Sequence, residues 1–94
     1  MESPKITLLA IDDDPELLDL VSAVLSPSDD LEILAFGDPG SALEVIRRRR
    51  PEIVLVDLMM PGVSGIDILE RIIEIDPTVH VILMTAYYTT DSVV

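Results

Sequence analysis

A doubly wound parallel α/β sheet is the fold class that this sequence predicts, on three observations. Apolar runs at 6–11, 31–36, 53–56 and 79–84 alternate with segments of helical periodicity, the pattern of βαβ units in a parallel sheet. The run Ile53-Val54-Leu55-Val56 has no polar alternation, as expected of a strand covered on both faces. Acidic residues close two of the runs, Asp12 after the first and Asp57 after the third, at the strand ends where open α/β sheets place their chemistry.

Taken in order, residues 6–11 form the first strand, and Asp14-Pro15 then reads as an N-cap with Pro at the first helical position, where the missing N–H costs nothing. Leu17, Leu18, Val21, Val24 and Leu25 follow at helical spacing and predict one buried stripe. Ser26 to Asp30 breaks that helix, and a second strand runs from Leu31 to Phe36. Asp38-Pro39 repeats the cap signal, and Ala42, Leu43, Val45 and Ile46 give the second helix its apolar side before Arg47–Arg50 and Pro51. After the third strand comes a Pro61-Gly62 turn. Ser64 caps a third helix, with Asp67 in the capping-box position usually held by Glu or Gln. Ile66, Leu69, Ile72 and Ile73 are the expected buried stripe, and Asp76-Pro77 ends the helix. Val79 to Met84 is the fourth strand, Thr85 stands at its carboxyl end, and Tyr87 to Val94 reads as the start of a fourth helix.

Composition narrows the function classes. The 94 residues make one small domain whose 49% hydrophobic and 3% aromatic content gives a core of aliphatic side chains and Met. No apolar run approaches the roughly 20 residues of a membrane span, and the amino terminus lacks a signal-peptide pattern, so a cytoplasmic setting without membrane contact is expected. The absence of Cys removes disulfides and thiolate metal sites. A formal net charge of −12 opposes direct nucleic-acid binding by this segment but suits cations or basic protein surfaces.

Asp12 with Asp13, Asp57 and Thr85 fall at the ends of three strands, which converge in one crevice of such a sheet. Carboxylates held together repel one another unless a cation or a proton offsets their charge. Oxygen ligands without His or Cys favour a hard ion, and Mg²⁺ fits best, with its preference for one or two carboxylates plus water and phosphate oxygens. A carboxylate there can act as nucleophile toward a phosphoryl group, giving an acyl phosphate, with the Thr85 hydroxyl hydrogen-bonding a transferring oxygen.

Leu9-Ala10-Ile11-Asp12-Asp13-Asp14-Pro15, Val56-Asp57-Leu58-Met59-Met60-Pro61-Gly62 with Gly65, and Leu83-Met84-Thr85-Ala86 resemble, in order and spacing, the receiver domain of two-component response regulators. The resemblance runs over essentially the whole chain, and the middle motif is the most diagnostic. It implies a flavodoxin-like sheet with strand order 2-1-3-4 over the four βα units present. It further implies that Asp57 is the phosphoacceptor and that Thr85 is the switch hydroxyl, with Ala86 kept small beside it. Asp12 and Asp13 would hold Mg²⁺, with Asp13, Asp57 and the backbone carbonyl of Met59 as direct ligands. A sensor histidine kinase or phosphotransfer protein would donate the phosphoryl group. The chain would be no enzyme beyond Mg²⁺-dependent self-phosphorylation and autodephosphorylation. Met59 and Tyr87, which stand where family members tune phosphoryl loss, offer no acid or amide to orient water, so a long-lived phosphoryl state is expected.

Residues 1–94 are expected to be a receiver domain lacking its carboxyl-terminal part, because the family's fifth strand and helix, its site lysine and its aromatic switch residue have no counterpart here. The only Lys is Lys5, ahead of the first strand. The fourth strand then becomes an open apolar edge, and self-association through it is expected.

Two other functions compete. A haloacid-dehalogenase-like phosphatase would use Asp12, Asp14 and Thr85 with Mg²⁺, but leaves Asp57 and the Met59-Met60-Pro61-Gly62 turn without a role. A receiver-like module working through protein contacts alone would not need the acidic site. Blander readings suit other features: Asp14 as a helix cap, Arg47–Arg50 serving the helix dipole, His80 as an ordinary strand residue, Met59, Met60 and Met84 as packing residues with only the Met59 backbone in the site, and Tyr87 and Tyr88 as packing aromatics.

Overall fold

The computed structural model describes residues 5–27 and 29–84. Strands β1 (Ile6–Ile11), β2 (Leu31–Phe36), β3 (Ile53–Asp57) and β4 (His80–Met84) alternate with helices α1 (Pro15–Leu25), α2 (Pro39–Arg49) and α3 (Gly65–Ile75). The strands form one sheet in the order β2-β1-β3-β4, and every pairing is parallel. The expected fold class and strand order are therefore those observed.

Side-chain alternation divides the sheet between two layers. Leu9 and Ile11 of β1 and Val54 and Val56 of β3 pack with Ala42, Leu43 and Ile46 of α2 and Ile68 and Ile72 of α3. Leu8, Ala10 and Leu55 point the other way, toward Leu18, Val21 and Leu25 of α1. The central strands thus bury both faces, which explains the unbroken apolar runs at residues 8–11 and 53–56.

The helix starts follow the capping chemistry. Asp14 accepts from the Glu16 N–H at 3.0 Å, and Asp38 accepts from the Ser41 N–H at 3.0 Å and its hydroxyl at 2.8 Å. Ser64 accepts from the Asp67 N–H at 3.3 Å, the cap half of a capping box. The Asp38 carboxyl is held below its ordinary value by the two Ser41 donors.

Four expectations are corrected. The buried side of α3 is Gly65, Ile68 and Ile72, whereas Ile66 and Ile73 are exposed. Six of this helix's positions carry Ile or Leu, so more than one stripe is available, and close packing at Gly65 selects among them. In α1, Val24 faces outward while Leu18, Val21 and Leu25 meet the sheet. The Met59 side chain is exposed, unlike the buried Met60. Strand β4 starts at His80, one residue later than read from the sequence, because the Val79 N–H is spent on the Asp76 carbonyl.

Candidate functional site

The site is assembled at the carboxyl ends of β1 and β3, which pair side by side with Ile11 opposite Val56. Each strand therefore delivers the residue that follows this register, Asp12 or Asp57, to the same place. The Asp12 N–H donates to the Phe36 carbonyl at 3.1 Å, so β2 steadies the first of them. The Leu58 N–H donates to the Met84 carbonyl at 2.9 Å, so β4 steadies the second.

Asp12 and Asp57 are buried, 1% and 5% exposed, and are the buried acidic groups among the described residues. Asp13 is exposed beside them. One carboxylate oxygen from each of the three lies within 4.8 Å of the others. Asp12 Oδ1 accepts from the Asp14 N–H at 2.9 Å, and Asp57 Oδ1 accepts from the Met59 N–H at 2.9 Å. Asp12 Oδ2 is buried and accepts from no donor among the described residues.

Burial raises the Asp12 carboxyl above its ordinary value, and the charges of Asp57 and Asp13 raise it further, against the opposing pull of the Asp14 N–H. A buried carboxylate gathered with two more, one of its oxygens without a donor among the described residues, is costly. A hard divalent ion suits this donor set: it would neutralise the charge and take the open lone pairs. The fit rests on Asp12, Asp13 and Asp57.

Beyond Asp57 the chain turns sharply. Met60-Pro61-Gly62-Val63 closes through the Val63 N–H to the Met60 carbonyl at 3.1 Å, and Gly62 has φ +72°. Pro followed by a positive-φ Gly is the type II arrangement. Met60 anchors the turn in the core. The turn exposes the Met59 side chain while its N–H stays on Asp57.

Asp12, Asp13 and Asp57 are thus brought together as expected, and Met59 lies beside them through its backbone. Thr85, with Ala86 and the residues read as a fourth helix, lies outside the described residues. Sequence reasoning missed the double part played by Asp14, whose side chain caps α1 while its N–H holds Asp12. The Asp-Pro cap signal marks only the first of these tasks.

Comparison with known proteins agrees with this geometry. The response regulator receiver domain family model matches residues 8–94. The chain is 36% identical over 94 residues to the DNA-binding response regulator MtrA of Mycolicibacterium smegmatis, covering 100% of this chain and 40% of that protein. It is 37% identical over 82 residues to protein-glutamate methylesterase/protein-glutamine glutaminase 1 of Caulobacter vibrioides, covering 86% of this chain and 24% of that protein. The response regulator receiver domain protein of Clostridium thermocellum superposes with a TM-score of 0.79 at 29% identity, over 93% of this chain and 70% of that one. The chain spans well under half the length of these two curated relatives, one named for DNA binding and one for an enzyme. The acidic cluster at the ends of β1 and β3, the parallel sheet and the family match lead to one conclusion: this chain belongs to the response regulator receiver domain family.

Proposed function

We propose that this receiver domain takes a phosphoryl group onto Asp57 from a phosphohistidine of a sensor kinase or phosphotransfer protein. The observation that carries the reading is the convergence of Asp12, Asp13 and Asp57 within 4.8 Å, with one buried carboxylate oxygen that has no donor among the described residues. Asp57 is held through Oδ1 by the Met59 N–H, which leaves Oδ2 to attack phosphorus. The new P–O bond forms as the P–N bond of the donor breaks, and the electron pair returns to the imidazole nitrogen. Asp12, Asp13, Asp57 and the Met59 carbonyl would hold Mg²⁺, which supplies charge neutralisation for the transferring oxygens. Thr85 serves as the switch hydroxyl, so that phosphorylation shifts a two-state equilibrium read by an output.

This receiver domain acts in the cytoplasm, and residues 1–94 make no membrane or nucleic-acid contact of their own. Among the described residues, no helix is long and apolar enough to cross a membrane. The output is a separate matter, since the two relatives above are named for different activities. The phosphatase alternative is disfavoured by Asp57, which is buried and a member of the cluster rather than spare. Self-association through β4 is part of the proposal, supported by Ile82 and Leu83, 50% and 41% exposed on a strand that pairs only with β3 among the described residues.

The test is chemical trapping. After incubation with acetyl phosphate and Mg²⁺, borohydride reduction followed by peptide mapping should place the reduced acyl phosphate at position 57. A reduced residue at position 12 would instead establish the phosphatase-like nucleophile.

A further inference from the structure

The chain has six Lys and Arg residues, and four of them, Arg47 to Arg50, stand together in a chain of net charge −12. Their neighbours divide their tasks. Arg47 pairs with Glu44 at 3.4 Å, Arg49 pairs with Glu32, and Arg50 donates to the Ile75 carbonyl at 2.8 Å. Arg48 is exposed and has no hydrogen-bond or ion-pair partner among the described residues.

Arg48 and Arg49 flank a groove of about 380 Å³ whose apolar wall is Leu34 and Phe36 of β2 and Val45 of α2. These three are half-buried against the core, so the groove is a fixed feature of the packed β2–α2 unit. Strand β2 pairs only with β1 among the described residues, which leaves its outer backbone edge open to an added strand. Glu32 already displays the recognition chemistry, with a carboxylate at this edge engaging Arg49.

We propose that the β2–α2 groove is a docking site for an acidic, extended segment of a partner protein. Its apolar side chains would lie on Leu34, Phe36 and Val45, and its carboxylates would pair with Arg48 and Arg49. Charge complementarity argues for this occupant. The basic patch attracts carboxylates, while the net charge of −12 opposes a long polyanion such as nucleic acid, which carries a phosphate at every residue. A short peptide with few carboxylates suffers less of that repulsion and gains from apolar burial. The site lies at the sheet edge away from β4 and does not depend on Asp57.

The experiment is fluorescence anisotropy with a labelled peptide that alternates Asp or Glu with Leu or Phe, titrated with the 94-residue chain at physiological ionic strength. Saturable binding is expected, weakened about tenfold or more in Arg48→Glu and unchanged in Arg71→Glu, a charge reversal outside the groove. Circular dichroism confirms that both variants fold. A peptide with Lys in place of its acids should not bind. Absence of saturable binding, equal loss in the two variants, or tighter binding of a single-stranded oligonucleotide of the same charge would each overturn the proposal.

Discussion

Gly65 opens α3 directly against Leu58: a Cβ on Gly65 would stand 2.8 Å from the Leu58 Cα and 3.2 Å from the Asp57 carbonyl oxygen. The first turn of α3 therefore presses on the residue after the proposed phosphoacceptor. Leu58 is also tied through its N–H to Met84 on β4, so it has little room to retreat. Gly65→Ala should destabilise the domain by about 1–3 kcal/mol, a drop of at least several degrees in melting temperature for a domain of this size. Because Leu58 must shift, phosphorylation at Asp57 should slow as well. Thermal melts and phosphorylation time courses check both effects, and an unchanged melting temperature would show that the contact is soft.

The same contact explains how far the sequence could be read. Helices α1 and α2 were legible at their starts, because Asp14-Pro15 and Asp38-Pro39 each join a side-chain acceptor to a residue that needs no N–H. The acidic cluster was legible because Asp12 and Asp57 terminate apolar strands that pair directly. The phase of α3 was not. Its Ile and Leu residues offer competing stripes, and the choice of Ile68 over Ile66 and Ile73 depends on where Gly65 meets Leu58, a contact between segments. The conformation of Arg50 was hidden for a related reason. It adopts φ 47° at the end of α2 while its guanidinium reaches the last carbonyl of α3, and that partner lies 25 residues away.

Asp12 links stability to pH. Its carboxyl is raised by burial and by neighbouring charge, so the native state holds its proton at pH values where the unfolded chain has lost it. Stability without metal should therefore fall as pH rises from the ordinary Asp value, 3.8, through the raised native value, with the full cost present above it. Asp12→Asn should remove that slope and raise the melting temperature of the metal-free protein near neutral pH. Asp38 and Asp76 act in the opposite sense, because hydrogen bonds lower both carboxyls. Their contribution is present above the ordinary value and is lost as pH falls through the lowered one. Melts across the acid range in the parent and in Asp12→Asn separate the two directions.

Mg²⁺ should recover the stability that the acidic cluster costs. An ion bound only by the folded state stabilises by about 2.7 kcal/mol at a hundredfold excess over its dissociation constant. Titration with Mg²⁺ near neutral pH should raise the melting temperature of the parent, and the shift should be much reduced in Asp12→Asn and in Asp13→Asn. Equal shifts in all three proteins would place the ion elsewhere.

The phosphoryl state should outlast seconds. Met59 is exposed beside Asp57 and carries a thioether, which cannot act as a general base toward water as a carboxylate can. Met59→Glu should shorten the lifetime, and following the phosphorylated mass over time after removal of the donor measures it. Loss within seconds in the parent would refute this assignment for Met59.

The central claim is that Asp57 accepts a phosphoryl group within the cluster formed with Asp12 and Asp13. Intact mass spectrometry after incubation with acetyl phosphate, with and without Mg²⁺, tests it most directly. A gain of one phosphoryl group that requires Mg²⁺ and disappears in Asp57→Asn is the predicted result. No gain in the parent chain, or a gain that persists in Asp57→Asn and is abolished by Asp12→Asn, would contradict it.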